Sequence, residues 1–234
     1  MKRQLPPDAR LSKGSHAYQE EGMCTMEMVA YLAGESHSDH PQCACPVIAA
    51  FVRRLNDAMP NDDIRTSLLL PLVPRLIGTR STPEIELRRG YLAADFAARA
   101  AAPAALRAAG LDEEAQTLEL LPEVVDHTAT EAASAAAKAA TSAAERVTDW
   151  ATAKVTAKAT AKATDWATAK ATTSAADRAA ASAAAKAATS AAYWAAEAAY
   201  WATAKATAAA AISAGIYEST IQLIERMIAV GELK

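Results

Sequence analysis

The sequence predicts an all-α protein, in which an N-terminal orthogonal helical bundle is followed by a long alanine-rich helix or helical hairpin. Apolar side chains recur at helical spacing through the first half, no segment alternates like a strand, and neither Gly nor Pro occurs between residues 123 and 214. We divide the chain into a loose polar arm (1–21), a helical bundle domain (22–125), an alanine-rich tract (126–214) and an amphipathic C-terminal helix (215–234).

Helix start signals place five helices in the bundle domain. Their first or capping residues are Cys24, Pro46, Asn61, Thr82 and Asp112. A proline in the interior of the fourth helix, Pro103, predicts a kink there because it removes one backbone hydrogen bond. The connections between these segments are short, which favours a compact bundle.

The alanine-rich tract is built on a four-residue repeat, in which one column holds only Ala or Val between residues 135 and 199. As one helix it would extend roughly 130 Å. Four residues advance the helix by about 400°, so the alanine stripe drifts by about 40° per repeat and disfavours a heptad coiled coil. The threonine-rich middle, residues 148–173, is where a hairpin would bend. A plain soluble spacer is the alternative interpretation.

Two apolar patches favour association. Trp194 and Trp201 lie seven residues apart and share one helical face, and the final helix carries an apolar stripe that includes Ile221, Ile224 and Ile228. Exposure of such an apolar stripe to water is unfavourable. Two outcomes are open: the final helix docks on the bundle of its own chain, or it pairs with a second copy or another protein.

Composition and charge exclude several classes of protein. A net charge of −3 gives no general attraction to nucleic acid or to an anionic membrane. Charged residues recur every few positions in the tract, which excludes a membrane span, and no apolar run near Met1 predicts a secretory signal. Three cysteines do not form a disulfide framework, so we expect a reducing cytoplasm.

One loop carries the ligand types that zinc prefers. His37, His40, Cys43 and Cys45 supply four imidazole and thiolate groups, and Cys24 can replace one of them from its helix. The paired spacing of common zinc sites is absent. The alternative is a polar loop with solvated histidines and small buried cysteines, which needs no cofactor.

A second chemical hypothesis makes Cys24 a catalytic nucleophile. It lies at a predicted helix N-terminus, where the helix dipole lowers a thiol pKa. His40 would act as the base, and Asp39 or Glu27 would orient it, although Glu27 would also oppose formation of the thiolate. A cysteine at a helix start without any catalytic role is the simpler interpretation.

The bundle domain contains three short motifs: Cys-x-x-Glu at residues 24–27, Ser-Asp-His-Pro at 38–41 and Cys-Pro at 45–46. Through these residues, and through residues 78–84, the chain resembles a largely actinobacterial family of helical proteins over about residues 20–125. The family has no established activity, so the resemblance implies a helical fold and no function. Some of its members also carry alanine- and tryptophan-rich C-terminal tracts.

These observations lead us to expect a non-enzymatic interaction or assembly protein, with the tract as a spacer or oligomerisation arm. The expected partner is a second copy of the chain or another protein. The alternative is a thiol- or metal-dependent enzyme, or a zinc-stabilised domain, that uses Cys24, His40 and Cys45.

Overall fold

The computed structural model of the chain describes residues 3–108, 111–126, 128–130, 132–133, 135–136 and 206–231, with backbone alone at residues 105, 108 and 206–214. All regular elements in these ranges are helical, which confirms the predicted all-α class. The choice between one helix and a hairpin for the alanine-rich tract lies outside the described residues. The predicted patch at Trp194 and Trp201 lies outside them as well.

Eight α-helices are described, joined by two 3₁₀ turns and one π-helical turn. The helices are α1 (Thr25–Ala33), α2 (Pro46–Ala58), α3 (Asp62–Leu69), α4 (Val73–Leu76), α5 (Pro83–Phe96), α6 (Ala102–Ala108), α7 (Asp112–Glu119) and α8 (Ala206–Ala229). The 3₁₀ turns span Gln19–Glu21 and Leu70–Leu72, and the π-helical turn spans Ala97–Ala101.

The predicted helix start residues are confirmed. Cys24 is the N-cap of α1, and Gly34 ends this helix in the left-handed conformation with φ of 75°. The side-chain oxygen of Asn61 accepts a hydrogen bond of 2.9 Å from the backbone N–H of Ile64 and so caps α3. Pro46 occupies the first turn of α2, where its missing N–H leaves no carbonyl unsatisfied.

The kink predicted at Pro103 is replaced by a widened turn just before it. Residues Ala97–Ala101 form a π-helical turn, and α6 then continues through Pro103. Proline has no N–H for the carbonyl four residues earlier, that of Arg99, and its ring crowds that carbonyl. Widening the turn separates the two groups without ending the helix. The distortion that Pro103 causes therefore begins six residues before it, at Ala97.

The main core lies where α1, α2 and α5 meet α8. The rings of Phe51 on α2 and Phe96 on α5 form an edge-to-face pair with centroids 6.5 Å apart. Beside Phe96 the chain offers mainly alanine to the core, at Ala93, Ala97 and Ala101. Small side chains let a neighbouring helix approach closely, but they leave volume that its larger side chains must fill.

Helix α8 fills this volume. Its buried apolar residues follow the i, i+4, i+7 spacing of a helical stripe: Ile216, Leu223, Ile224, Met227 and Ile228. The stripe packs on α5 and α2 of the same chain. Of the two outcomes that the sequence left open, the structure shows docking of the final helix on its own bundle.

This docking corrects the interaction surface predicted at Ile221, Ile224 and Ile228. Ile224 is 0% exposed and Ile228 is 4% exposed, while Ile221 is partly buried against the same core. The sequence identified the stripe correctly as a surface that must be covered. It is covered by the bundle, where the small side chains of Ala93, Ala97 and Ala101 belong to the same core.

The arm predicted to be loose is also packed, over residues 3–21. Leu11 is 0% exposed in the main core, and its backbone N–H donates to the hydroxyl of Thr66 at 3.0 Å. The N–H of Ser12 donates to the carbonyl of Met23 at 2.9 Å. The polar composition of the arm gave no indication that Leu11 is buried or that its backbone is hydrogen-bonded to the bundle. The arm is therefore part of the bundle.

The described residues at the start of the alanine-rich tract lie on the bundle too. Ala133 packs with Val124 against Ala94 and Ala98. At the other end of the tract, Arg226 of α8 lies 3.7 Å from the carboxylate of Glu123. Both described flanks of the tract are therefore held by one bundle.

No described helix is both long enough and apolar enough to cross a membrane.

Candidate functional site

A buried carboxylate at the start of α1 is the centre of the largest polar cluster around the predicted site. The side chain of Glu27 is 1% exposed. It accepts backbone hydrogen bonds from His16 at 2.6 Å and from Cys24 at 2.7 Å, and the His16 ring nitrogen Nδ1 lies 2.8 Å from its second oxygen. With Cys24 this forms a capping box, in which Glu27 at the third helical position bonds back to the N-cap.

Two histidines flank this carboxylate. His16 comes from the arm, and bonding of its Nδ1 to Glu27 fixes the tautomer with a proton on that nitrogen. His37 comes from the loop after α1, and its Nε2 donates to the carbonyl of His16 at 2.9 Å and lies 3.8 Å from Glu27. The cluster therefore joins the arm, α1 and the following loop.

Asn56, at the end of α2, holds the same region from the other side. It is 0% exposed, and its side-chain oxygen accepts from the N–H and the hydroxyl of Thr25, at 3.1 and 2.9 Å. Its amide nitrogen donates to the carbonyl of Ser12 at 3.0 Å. The side chain thus satisfies the first turn of α1 and the arm together.

The pKa of the Glu27 carboxyl is held below its ordinary value. Burial alone would raise this pKa, but the backbone N–H groups of His16 and Cys24 and the His16 ring outweigh it by stabilising the charged form. Glu27 is therefore an ionised anchor at neutral pH. The groups that donate hydrogen bonds to its carboxylate belong to the arm and to the start of α1, so Glu27 holds these two segments together.

Burial has the opposite effect at the predicted nucleophile. Cys24 is 2% exposed, and desolvation raises the pKa of its thiol from 9.0 to about 12. The backbone hydrogen bonds at the helix start lower the pKa, but the negative charge of Glu27 raises it further. The dipole effect expected from the sequence is present and is outweighed by burial. The opposition from Glu27 is confirmed.

The predicted base, His40, pairs with its predicted orienting residue Asp39, but this pair does not contact Cys24. The Nδ1 of His40 bonds to its neighbour Asp39 at 2.5 Å, on a ring that is 66% exposed. The backbone carbonyl of Asp39 accepts from Arg53 at 2.8 Å. No hydrogen bond among the described residues joins His40 to Cys24. The partner of Cys24 is Glu27, through the capping box.

Cys43 and Cys45 are integrated into the loop backbone. The carboxylate of Glu35 accepts from the N–H of Cys43 at 2.8 Å, and burial raises the pKa of the Cys43 thiol to about 11, with Glu35 adding to the effect. Cys45 is 0% exposed, and its N–H donates to the hydroxyl of Thr79 at 3.0 Å. These residues connect the loop before α2 to the loop before α5.

The five predicted zinc ligands are therefore distributed over several local structures. His37 bonds to the arm, and His40 bonds to Asp39 at the surface. Cys24, Cys43 and Cys45 are free thiols. Within the described part of the chain, no three His, Cys, Asp or Glu side chains are grouped as metal ligands would be.

His16 and Asn56 are the members of the cluster that the sequence did not reveal. Asn56 lies four residues after Val52, so it shares the buried face of α2. This spacing could have predicted from the sequence that Asn56 is buried. His16 stands in a polar segment without periodicity. Its only indication was the glutamate at the third position of α1, which predicts a structural cap.

Comparisons of the chain with protein-family models, with curated proteins and with solved structures find no match. The function is therefore argued from the geometry of the chain itself.

Replacement of Glu27 tests its role as an ionised anchor. Because the folded pKa of Glu27 is lower than the unfolded pKa, its ionisation stabilises the fold above the unfolded value, and this contribution is lost as pH falls through the folded value. At pH 7 we expect Glu27→Gln to lower the free energy of unfolding by about 1–3 kcal/mol. The difference from wild type should shrink below about pH 4.5. Urea unfolding across pH 3–7 measures both, with the exposed Glu113→Gln as control. A difference that is constant with pH contradicts the assignment.

The thiol of Cys24 should be unreactive in the folded protein. A pKa of about 12 instead of 9.0 leaves about a thousandfold less thiolate at pH 7, so alkylation by iodoacetamide should be slower by roughly that factor. Fragment-ion mass spectrometry separates Cys24 from Cys43 and Cys45. The urea-unfolded chain serves as control and should react at the rate of free cysteine. Faster labelling of Cys24 in the folded protein than in free cysteine would restore the nucleophile hypothesis.

Proposed function

We propose that this chain is a non-enzymatic interaction and assembly protein, whose helical bundle anchors the alanine-rich tract at both ends. The observation that carries the proposal is the burial of α8 in the core of the bundle, with Ile224 0% and Met227 0% exposed. The tract begins at one side of this bundle, where Ala133 is buried, and ends in a helix of the same core. The bundle is the platform, and the tract between its two anchored flanks is the element that meets a partner.

The anchoring is specific as well as apolar. The guanidinium of Arg89, which is 1% exposed, donates to the carbonyl of Met227 at 2.7 Å and so satisfies the end of α8. Arg75 pairs with Glu225 at 2.7 Å on the surface. These contacts support a fixed attachment of the tract's C-terminal flank. A buried arginine that loses its carbonyl partner lowers the free energy of unfolding.

The thiol or zinc alternative has less support. The predicted nucleophile is buried with a raised pKa, its predicted base His40 forms no hydrogen bond with it among the described residues, and Glu27 completes the capping box of α1. Each residue of that hypothesis has a structural role in the described fold.

The proposed partner is a second copy of this chain. Since the bundle itself covers the stripe at Ile221, Ile224 and Ile228, we assign the association to the second predicted patch, the pair Trp194 and Trp201. A net charge of −3 favours a protein partner over nucleic acid. Three free thiols are in keeping with a reducing cytoplasm.

Native mass spectrometry of the full chain tests the proposal. We expect a multimer, and we expect the double substitution Trp194→Ala and Trp201→Ala to shift it to monomer, because tryptophans commonly carry a large part of the binding energy of a protein interface. The matched control is Trp150→Ala with Trp166→Ala, which removes two tryptophans from the same tract at a different spacing.

In this experiment the control should remain multimeric, and circular dichroism should show that all variants keep their helix content. A monomeric wild-type chain at micromolar concentration contradicts self-assembly. Equal loss of the multimer in both variants would contradict the assignment to the 194 and 201 pair.

A further inference from the structure

A polar cavity lies between the loop that precedes α5 and the end of α8. Its volume is about 160 Å³, and residues 77–81 line it together with Arg75, Arg89, Ile228 and Gly231. Three of the lining residues are arginines: Arg75, Arg80 and Arg89. No carboxylate is found among the described residues that line it.

Arg89 provides the inner wall of the cavity. Its side chain is fixed by two hydrogen bonds, from Nε to the carbonyl of Met227 at 2.7 Å and from Nη1 to the carbonyl of Thr79 at 2.6 Å. Nη2 has no hydrogen-bond partner among the described residues. A Cβ added at Gly231 would lie 2.2 Å from Nη2, which places this nitrogen at the glycine side of the cavity. A residue that is 1% exposed thus places at a cavity wall a donor group for which the described part of the chain supplies no acceptor.

The other two arginines add positive charge at the mouth. Arg80 is exposed and forms no ion pair with a described residue, while Arg75 is half-exposed and shares its charge with Glu225 at 2.7 Å. Glu225 is the only described acid in contact with the three guanidinium groups. The described lining of the cavity therefore carries more positive than negative charge, with N–H donors that can converge on one anion.

The loop that carries Arg80 is held rigidly. The N–H groups of Gly78 and Arg80 both donate to the carbonyl of Cys43, at 3.0 and 3.1 Å, and Gly78 has a φ of 80° that favours glycine. The hydroxyl of Thr79 donates to the carbonyl of Leu76 at 2.7 Å. A backbone fixed in this way loses little further entropy on binding, so that the cost of ordering is mainly that of the Arg80 side chain.

From these contacts we infer that the cavity is a binding site for an oxyanion of phosphate size, such as the phosphate group of a small solute. The buried guanidinium of Arg89 would bind it through Nη2, and Arg80 would close over it from the loop. Arginine is suited to this task because its planar donor groups match the spacing of phosphate oxygens. The proposed site is defined without the tryptophan pair and does not depend on the assembly proposal.

Binding of inorganic phosphate to the full-length chain tests this inference. Isothermal titration at fixed ionic strength, with chloride as the replaced anion, should give saturable binding of one phosphate per chain. Arg80→Gln should weaken the affinity roughly tenfold, because one charge-assisted hydrogen bond is lost. Arg54→Gln is the matched control: Arg54 is also exposed and forms no ion pair with a described residue, but it lies on α2 away from the cavity. It should leave the affinity unchanged.

A second variant separates a built site from general charge attraction. Gly231→Ala keeps every charge but places a methyl group 2.2 Å from the present position of Nη2, so this arm of Arg89 must move. We expect it to weaken phosphate binding as well. Equal losses in Arg80→Gln and Arg54→Gln, or no saturable heat with the wild-type chain, would overturn the inference. If Gly231→Ala fails to fold, the comparison of the two surface arginines decides alone.

Discussion

Burial of the apolar stripe of α8 is the interaction on which this fold depends. The end of α5 and the π-helical turn after it present mainly alanine to the core, and alanine cannot fill a core on its own. Ile224, Met227 and Ile228 supply the missing volume from more than a hundred residues away in the sequence. Full burial of one such side chain stabilises a fold by about 1.5–3 kcal/mol, so the stripe contributes a large share of the marginal stability of a small domain. The N-terminal bundle and the C-terminal helix are thus one structural unit.

Two buried charged groups extend the same principle, because each is stable only when distant segments meet. Arg89 needs the carbonyl of Met227 from α8, and Glu27 needs the N–H and the ring of His16 from the arm. A buried charge that loses its partner destabilises a protein strongly, which makes both contacts sensitive to correct docking. The bundle is closed at one side by the arm and at another by α8.

Local signals were sufficient to predict much of the fold from the sequence. The all-α class and the helix starts at Cys24, Pro46 and Asn61 followed from periodicity and capping chemistry, and the structure confirms them. Docking of α8 was recognised only as one of two outcomes, since a sequence shows that an apolar stripe must be covered but not by what. The packed arm was missed because Leu11 is a single apolar residue in a polar segment.

The candidate site was predicted less well, and for a physical reason. Residue types and spacing suggested ligands and nucleophiles, whereas the properties of these groups depend on burial and on partners that are far apart in sequence. Cys24 lies at a helix N-terminus as predicted, yet burial raises the pKa of its thiol to about 12. The roles of His16 and of Arg89 became visible only when the chain segments around them were placed.

Hydrogen exchange of the full-length chain measures most directly whether α8 is part of the bundle core. If it is, backbone amides at residues 220–228 should exchange only through global unfolding, with the same protection as the buried amides of α2, and both sets should lose protection together in denaturant. Exchange of the α8 amides at much lower free energy than those of α2 would show that the helix detaches independently. That result would contradict the fold as one unit and remove the anchoring on which the proposed function rests.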